Sequence, residues 1–575
     1  MAKWSFNDLN ESAQILSSSK EIDIHPLIAQ LLFSRGIKTE KEIREFIAPD
    51  YQRDSFDPFA FEDMEKVVAR IDKARKNDEM VVVFGDYDAD GITSSAIIKQ
   101  TLDLLEINSF VYIPDKRTEG YGMNVEAIEK FAQKKVALII TVDCGITNII
   151  ETEKALELGI DVIITDHHHV PEILPAAHAI INPHAKNAEK YPFKDLAGVG
   201  VAFKVVQAIF QRLMPEKMQL SKWMLDLVAI GTIADCVPLI GENRLFVRYG
   251  LIVLSKTRRT GINELCAVGR IMIDEDVIPD TKKVSFYIAP RINAAGRINH
   301  ANLAYDLIME NNVVAARDFA LELEESNTER QKITQTVVDE VKILAENMFA
   351  EKKFIFAIGE HFPIGVVGLV AGKIVQQFNK PTAIFQKGEK ISKGSFRSIP
   401  QINIIETIEQ CGKLLEKHGG HSQAAGVSVA NENLEKFYEK MDFLINEKLD
   451  GVDLVPEIKV DAELDVEIIN FKFLEDLEKL KPFGQGNDEP IFAIRNLIVR
   501  EKRVLGSGNK HIKFFLSPTN GEPKIFEAVS FNGFEKYQSI KEDDVIDVLC
   551  NVQKDEWNGN KKIQLMIVDI KNASL

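Results

Sequence analysis

Four apolar runs in the first half of this chain each end in an acidic residue. Val81–Phe84 leads into Gly85-Asp86-Tyr87-Asp88-Ala89-Asp90-Gly91, and Leu138–Val142 into Asp143-Cys144-Gly145. Val162–Thr165 leads into Asp166-His167-His168-His169, and Leu227–Ala234 into Asp235. Ligands of an open parallel sheet bind beyond the carboxyl ends of its strands, so these acids converge on one crevice if the four runs are neighbouring strands. Several carboxylates sharing a dry site require a compensating cation. Oxygen-rich ligand sets with an imidazole or two favour Mn²⁺ or Mg²⁺ over zinc. Taken singly, an aspartate after a strand is a turn residue or a helix N-cap. The ordered set of four carries the metal reading.

The elements that must position these residues follow from the pattern around them. Helical stretches at Thr93–Leu105, Val125–Lys134 and Ile149–Leu158 separate the earlier runs, which implies βαβ units and a parallel sheet. From about 303 to 350 the chain is rich in Ala, Glu, Leu and Lys, without Gly or Pro, and reads as a long connecting helix. Its charges, Arg330 and Lys332 among them, read as a solvated helix face. A second α/β pattern follows, with Lys353–Ile358, Val366–Phe378, Thr382–Phe385 and Ala424–Val429. Beyond 456, short strands with Gly/Asn turns suggest a small β-barrel. The expected division is a helical lead-in at 1–55, a first α/β lobe at 56–302, the connecting helix at 303–350, a second lobe at 351–450 and the barrel at 456–575. There is no internal repeat.

A chain of 575 residues exceeds what one hydrophobic core organises, since cores stop growing near ~250–300 residues. Five scattered cysteines without a CxxC pair read as reduced thiols of a cytoplasmic protein. The opening MAKWSFNDLNESAQ lacks a basic head followed by an apolar run, so no signal peptide is expected. No stretch approaches the ~18 consecutive apolar residues of a membrane span. A formal charge of −17 argues mildly against nucleic-acid binding, so any such ligand needs a localised basic channel or bound metal.

Asp88-Ala89-Asp90, Asp143, Asp166-His167-His168 and Asp235 together resemble the four ordered motifs of the DHH phosphoesterases. The resemblance implies that Asp90, Asp143, His167 and Asp235 are the principal ligands. It implies that Asp88 and Asp143 hold a second ion, and that His168 faces the substrate phosphate. Phe84 stands where many small members have a histidine, and Asp86 is expected to substitute for it.

Further segments resemble the RecJ branch of that family along nearly the whole chain. They include Arg35-Gly36-Ile37, Arg117-Thr118-Glu119-Gly120-Tyr121-Gly122 and Ala289-Pro290-Arg291-Ile292-Asn293-Ala294-Ala295-Gly296-Arg297. Ser395-Phe396-Arg397 and Gly419-Gly420-His421-Ser422-Gln423-Ala424-Ala425-Gly426 are similar to the DHH-associated domain, and Lys481–Asn487 and Trp557-Asn558-Gly559 to the family's OB-like barrel. Glycine pairs suit a loop that wraps phosphate with backbone N–H groups, and arginine binds the same ligand with a planar fork. The implied substrate-binding residues are Arg117, Arg291, Asn293 and Arg297 from the first lobe. Ser395, Arg397, Gly419, Gly420 and His421 are those of the second. Phe483 and Trp557 read as barrel-core packing rather than base-stacking platforms. The Trp-His pair that many RecJ proteins carry in the second lobe is replaced here by Phe362-Pro363.

The expectation is therefore a metal-dependent exonuclease. The resemblance implies single-stranded DNA as substrate, 5′→3′ polarity, two Mn²⁺ or Mg²⁺ ions and a role in DNA repair and recombination. It further implies work with a helicase and a single-strand-binding protein, and the chain is expected to be a monomer. Asp143 and His168 would be its catalytic residues. Three rivals are a small-substrate DHH phosphoesterase, a non-enzymatic binding relative and an RNA-directed exonuclease. The extra barrel argues against the first and the intact acid set against the second. The third stays open, because a 2′-OH sensor cannot be read from sequence.

Overall fold

The computed structural model describes residues 2–6, 19–115, 118–506, 508–520, 524–557 and 560–573. The chain forms two compact units, one of Asp57–Asp235 and Tyr249–Pro456, the other of Met1–Phe56, Cys236–Arg248 and Glu457–Leu575.

The first of these contains both α/β lobes. Its leading lobe is built on strands β1 (Met80–Gly85), β2 (Ser109–Tyr112), β3 (Val136–Val142), β4 (Asp161–Thr165) and β5 (Ala179–Ile181). They lie in the order β2-β1-β3-β4-β5 and every pairing is parallel. Continuous apolar runs such as VALIITV in β3 suit strands covered on both faces. The register aligns Gly85 with Val142 and Val142 with Thr165, so Asp86, Asp143 and Asp166 leave the sheet at one level. Three helices close over that end: α1 (Ala89–Leu104), α2 (Gly198–Leu213) and α3 (Leu225–Ala234). α1 packs on both of the others.

The fourth apolar run was expected to be strand-like, and here the structure differs. Leu227–Ala234 lies within α3, and Asp235 emerges from a helix C-terminus. A short buried run is ambiguous by periodicity, since a helix apolar all round and a central strand look alike.

The connecting region is two helices rather than one. Asn302–Met309 is followed by a break at Glu310–Asn312, then α5 (Val313–Met348). Asn312 caps α5 by accepting from the N–H groups of Val314 and Ala315, which explains the break. At 36 residues α5 is about 54 Å long. Before it, α4 (Ala289–Ile298) packs on α5. The second lobe carries β6 (Ile355–Gly359), α6 (Ile364–Phe378), β7 (Thr382–Gln386), β8 (Ile391–Arg397), β9 (Lys417–Gly420) and β10 (Ala424–Ala430). Its sheet order is β9-β10-β8-β7-β6, parallel only between β6 and β7.

The other unit holds a closed five-stranded barrel of β11 (Phe492–Leu505), β12 (His511–Pro518), β13 (Phe526–Ser530), β14 (Val545–Trp557) and β15 (Asn560–Asn572). Pairing runs β11-β12-β13-β15-β14 and returns from β14 to β11. The lead-in is not a separate helical piece. Lys3–Phe6 is a strand that pairs in parallel with Glu457–Val460. Ile28, Leu31, Leu32 and Ile43 join the barrel residues Ile494, Phe514 and Val548 in one core, each wholly buried or nearly so. Burying a side chain of this size contributes about 1.5–3 kcal/mol. Phe483 packs against that core, as expected, while the side chain of Trp557 lies outside the described residues.

Candidate metal centre

The level ends of β1 and β3 deliver Asp86 and Asp143, and three further segments complete the centre. Asp88 is the N-cap of α1 and accepts from the N–H groups of Asp90 and Gly91. Asp90, in the first turn, accepts from Gly198 N at 2.7 Å and Val199 N at 2.8 Å. It is therefore fixed by the amino end of α2, where free N–H groups favour an anion. Asp143 has φ +60°, a left-handed conformation that costs about 1–2 kcal/mol in an L-residue. A Cβ at Gly198 would lie 2.5 Å from Asp143 Oδ1, so that close approach requires glycine.

His167 Nε2 is 3.2 Å from Asp143 Oδ1 and 3.7 Å from Asp235 Oδ2. All three atoms are buried and without a hydrogen-bond partner. Buried polar atoms left unpaired cost about 1–3 kcal/mol each, so three facing one another form an arrangement that a divalent cation relieves. Ligand atoms of Asp90, His167 and Asp235 lie within 4.8 Å of one another, as do those of Asp86, Asp88 and Asp143, and those of Asp143, His167 and His168. The six residues expected to bind metal are thus brought together, with Asp143 beside both acidic sets.

The electrostatics agree. Burial, and then Asp90, Asp88 and Asp86, hold Asp143 well above the usual carboxylate range. Asp235 is raised for the same reasons. Asp90 is pushed up to about 7 by burial and by Asp88, against the pull of the Val199 and Gly198 N–H groups. Burial and then His168 bring His167 down to about 4, so it is neutral at physiological pH, the form that ligates metal. Asp166 behaves oppositely. Burial opposes its ionisation, but His168 and other donors outweigh burial and keep it below the ordinary value. Its oxygens accept from Ile146 N, His167 N and His168 N, and from His168 Nδ1 at 2.8 Å. For His168, burial is outweighed in turn by Asp166, and its imidazole stays above the ordinary range. His168 is the half-exposed member of the pair, with its side chain 39% accessible.

The expected substrate-binding residues divide into several groups. Arg297 donates to Gly365 O at 3.0 Å across the lobe junction, where α6 begins. Arg397 donates to Ser395 Oγ at 3.1 Å on β8. His421 meets His169 with ring centroids 5.3 Å apart. Gly419 and Gly420 lie exposed on the edge strand β9 rather than in the phosphate-wrapping loop expected of them. Arg291 is placed differently from expectation. It pairs with Glu324 at 2.5 Å and donates to Tyr287 O, which makes it a brace between α4 and α5. Asn293 turns its Oδ1 to Ala89 N at 2.8 Å, supporting the acidic loop. Arg117 lies outside the described residues. Arg330 departs from the solvated face expected of it, because its Nε is buried without a partner. Lys332 is exposed, as expected.

Sequence reasoning missed the role of three residues. Asp166 anchors His168, Tyr121 approaches His168 Nδ1 at 3.2 Å through its hydroxyl, and Gly198 makes room for Asp143. Tyr121 sits inside a segment already singled out, and a glycine opening an apolar helix was the available signal for Gly198.

Comparisons with known proteins agree with this geometry. The model of the DHH family N-terminal domain matches residues 80–232, that of the DHHA1 domain 351–447, and that of the RecJ OB domain 460–569. The single-stranded-DNA-specific exonuclease RecJ of Bacillus subtilis is 36% identical over 558 residues, covering 97% of this chain and 69% of the relative. That of Haemophilus influenzae is 32% identical, covering 94% and 96%. The crystal structure of RecJ in complex with Mn²⁺ from Thermus thermophilus matches with a TM-score of 0.84 at 26% identity, covering 100% of this chain and 80% of that one.

Proposed function

The chain belongs to the RecJ family of DHH phosphoesterases, and from that we propose the reaction its centre performs. It is a metal-dependent exonuclease specific for single-stranded DNA, using Mn²⁺ or Mg²⁺. The proposal concerns direction, residues and setting. Cleavage runs 5′→3′ with two ions, in DNA repair and recombination.

The observation that carries this reading is the convergence of Asp143 Oδ1, His167 Nε2 and Asp235 Oδ2 without hydrogen-bond partners. Asp90, Asp143, His167 and Asp235 would hold one ion, and Asp86, Asp88 and Asp143 the other. Divalent ions held there supply Lewis acidity and lower the pKa of water to within reach of neutral pH. The chain's own residues do the rest. Asp143, facing both acidic sets, fixes their spacing through its left-handed backbone. His168, whose imidazole Asp166 biases toward the protonated form against the effect of burial, donates to a phosphoryl oxygen and stabilises charge developing there. Asp166 keeps the imidazole's other nitrogen engaged and so fixes the ring. Arg297, Arg397 and Ser395 bind the strand's phosphates, and His421 lines the same junction. Arg117 is assigned to that pocket by its motif alone.

The proposed functional division is a phosphoesterase domain at 56–302, less the segment Cys236–Arg248 that belongs to the barrel's compact unit, a connector at 303–350, a DHH-associated domain at 351–450 and a nucleic-acid-binding barrel at 456–575 that takes up the lead-in at 1–55. The enzyme would act as a monomer in the cytoplasm with a helicase and a single-strand-binding protein. No helix among the described residues is long and apolar enough to cross a membrane. The test is purified protein with Mn²⁺ and end-labelled single-stranded DNA, RNA and dinucleotide, resolved by product length. Mononucleotides released from the 5′ end of DNA are expected. Preference for RNA or for the dinucleotide, or release from the 3′ end, overturns this reading.

A further inference from the structure

The buried face of α5 changes character along its length. Ala316, Ala320 and Leu323 are buried toward its start, and Val337, Val338, Val341 and Ala345 toward its end. Between them the buried positions are polar: Ser326, Asn327 and Thr334, each 3% exposed or less. Arg330 lies in the middle of this strip. One of its terminal nitrogens donates to Asn327 Oδ1 at 2.9 Å, but its Nε is buried with no acceptor. Ser326 and Thr334 satisfy their hydroxyls locally, donating to Glu322 O and Arg330 O, and Ser326 also accepts from Asn299 Nδ2.

Among the described residues no carboxylate pairs with Arg330, while Asp88 acts on Arg297 and Glu324 pairs with Arg291. The cations Arg297 and Arg291 act on Arg330, after burial, to disfavour its charge, and Arg297 in turn acts on Arg397. Of these four, Arg291 alone is ion-paired among the described residues, to Glu324. Arg297 and Arg397 donate to neutral oxygens, those of Gly365, Ser395 and Phe396. The amino end of α6 adds to the same positive field. A Cβ at Gly368 would sit 3.1 Å from Ser395 Oγ and 3.2 Å from Arg397 Nη2, so the helix and the arginine meet closely. Like charges gathered in a partly desolvated place are unfavourable unless an anion joins them.

We infer that Arg330 is a phosphate-binding residue of the cleavage reaction, turning its guanidinium to a backbone phosphate of the DNA strand that Arg297 and Arg397 also hold. This rests on the proposed function and adds to it a contact from the connecting helix, which neither lobe supplies. Arg330 would position the strand so that its register over the metal centre is set by both lobes and the connector.

The experiment compares Mn²⁺-loaded full-length wild type with Arg330→Gln and Arg330→Lys on 5′-phosphorylated oligodeoxythymidylate. Binding is measured across a salt series with Asp143→Asn as the common background. Loss of one phosphate contact makes the log–log salt slope of Arg330→Gln shallower by about 0.7. KM rises about tenfold while kcat stays within about threefold, because a charge-assisted hydrogen bond is lost in ground and transition state alike. Arg330→Lys keeps the salt slope and recovers part of the KM. The melting temperature stays level or rises as repulsion is relieved. An unchanged slope and KM overturn the assignment. So does a lower melting temperature with kcat reduced and the slope retained, which would make Arg330 a brace of the helix. Wild type that neither binds nor cleaves the strand defeats the underlying reading, and the assignment with it, before any variant is compared.

Discussion

Two buried arginine sites show how a fold-holding cation differs from a ligand-binding one. Arg244 is 2% exposed and surrounded by backbone oxygens. Its nitrogens donate to the carbonyls of Phe46, Lys479, Leu480, Lys481 and Pro482, and its guanidinium lies 3.8 Å from the Phe46 ring centroid. Among the described residues it pairs with no carboxylate. At the lobe junction the arrangement is the reverse. Arg297 acts on both Arg330 and Arg397, and the Nε of Arg330 meets no acceptor among the described residues. The acids of the metal centre divide in the same way. Asp166 has its donors and is held below the ordinary carboxylate value, whereas Asp143 and Asp235 are raised by burial and then by Asp90, Asp88 and Asp86. A completed set of partners marks a group that holds the fold. An incomplete set, in a place that folding does not require to be charged, marks a group kept for a ligand.

The largest effect expected from this contrast is at Asp143. Asp143→Asn removes a ligand beside both acidic sets and lowers cleavage by about a thousandfold or more, roughly 4 kcal/mol of activation energy. The metal-free variant melts at the same temperature as wild type or higher, because a repelling carboxylate has gone. Turnover above a tenth of wild type at matched metal content would remove Asp143 from the ligand set.

Arg244→Met should show the opposite split. Five carbonyls lose their donor, so the barrel-containing unit is destabilised by about 3 kcal/mol or more. Cleavage per folded molecule stays within about twofold, since the methionine alters no proposed ligand. Chemical denaturation paired with active-site titration measures both, and a stable variant with impaired turnover would blur the distinction drawn above.

A smaller, more selective loss is expected at Arg397. A terminal 5′-phosphate offers Arg397 more charge and more acceptor oxygens than an internal phosphodiester, so Arg397→Ala lowers cleavage of 5′-phosphorylated strands by about tenfold, on the basis of ~1.5–3 kcal/mol per charge-assisted hydrogen bond. Matched 5′-hydroxyl strands lose much less. An equal loss on both would make Arg397 a general backbone contact.

The smallest effect concerns pH. Asp90 has a folded pKa of about 7, above its ordinary value, and Asp143 and Asp235 are raised too. A carboxyl group raised on folding stabilises the metal-free protein fully at pH values below the ordinary carboxylate range. That contribution is lost as pH climbs through about 7. Metal-free protein should therefore lose melting temperature between pH 5 and pH 8, and Mn²⁺ should restore more of it at pH 8. Thermal melts with and without Mn²⁺ at the two pH values measure this. A larger gain at pH 5 would mean that the acids are already compensated within the chain.

The sequence by itself determined the acidic ends of three parallel strands, the histidine pair, the second lobe and the barrel. Each is written in local order: apolar runs of strand length, an aspartate or histidine at the end, glycine and asparagine at the turns. Residues such as Asp86, Asp143 and His167 could be placed together because adjacent parallel strands necessarily end at one edge. Tertiary structure alone decided what reaches that edge from elsewhere. Asp235 arrives from the end of helix α3, and Asp90 is gripped by Gly198 and Val199, more than a hundred residues along the chain. Arg291 is taken by Glu324, while Arg330 turns from an apparent surface charge into a half-buried one beside Arg297. These outcomes depend on which faces of α3, α4 and α5 pack together. Helical periodicity gives each helix a face, but only the assembled core decides what that face meets.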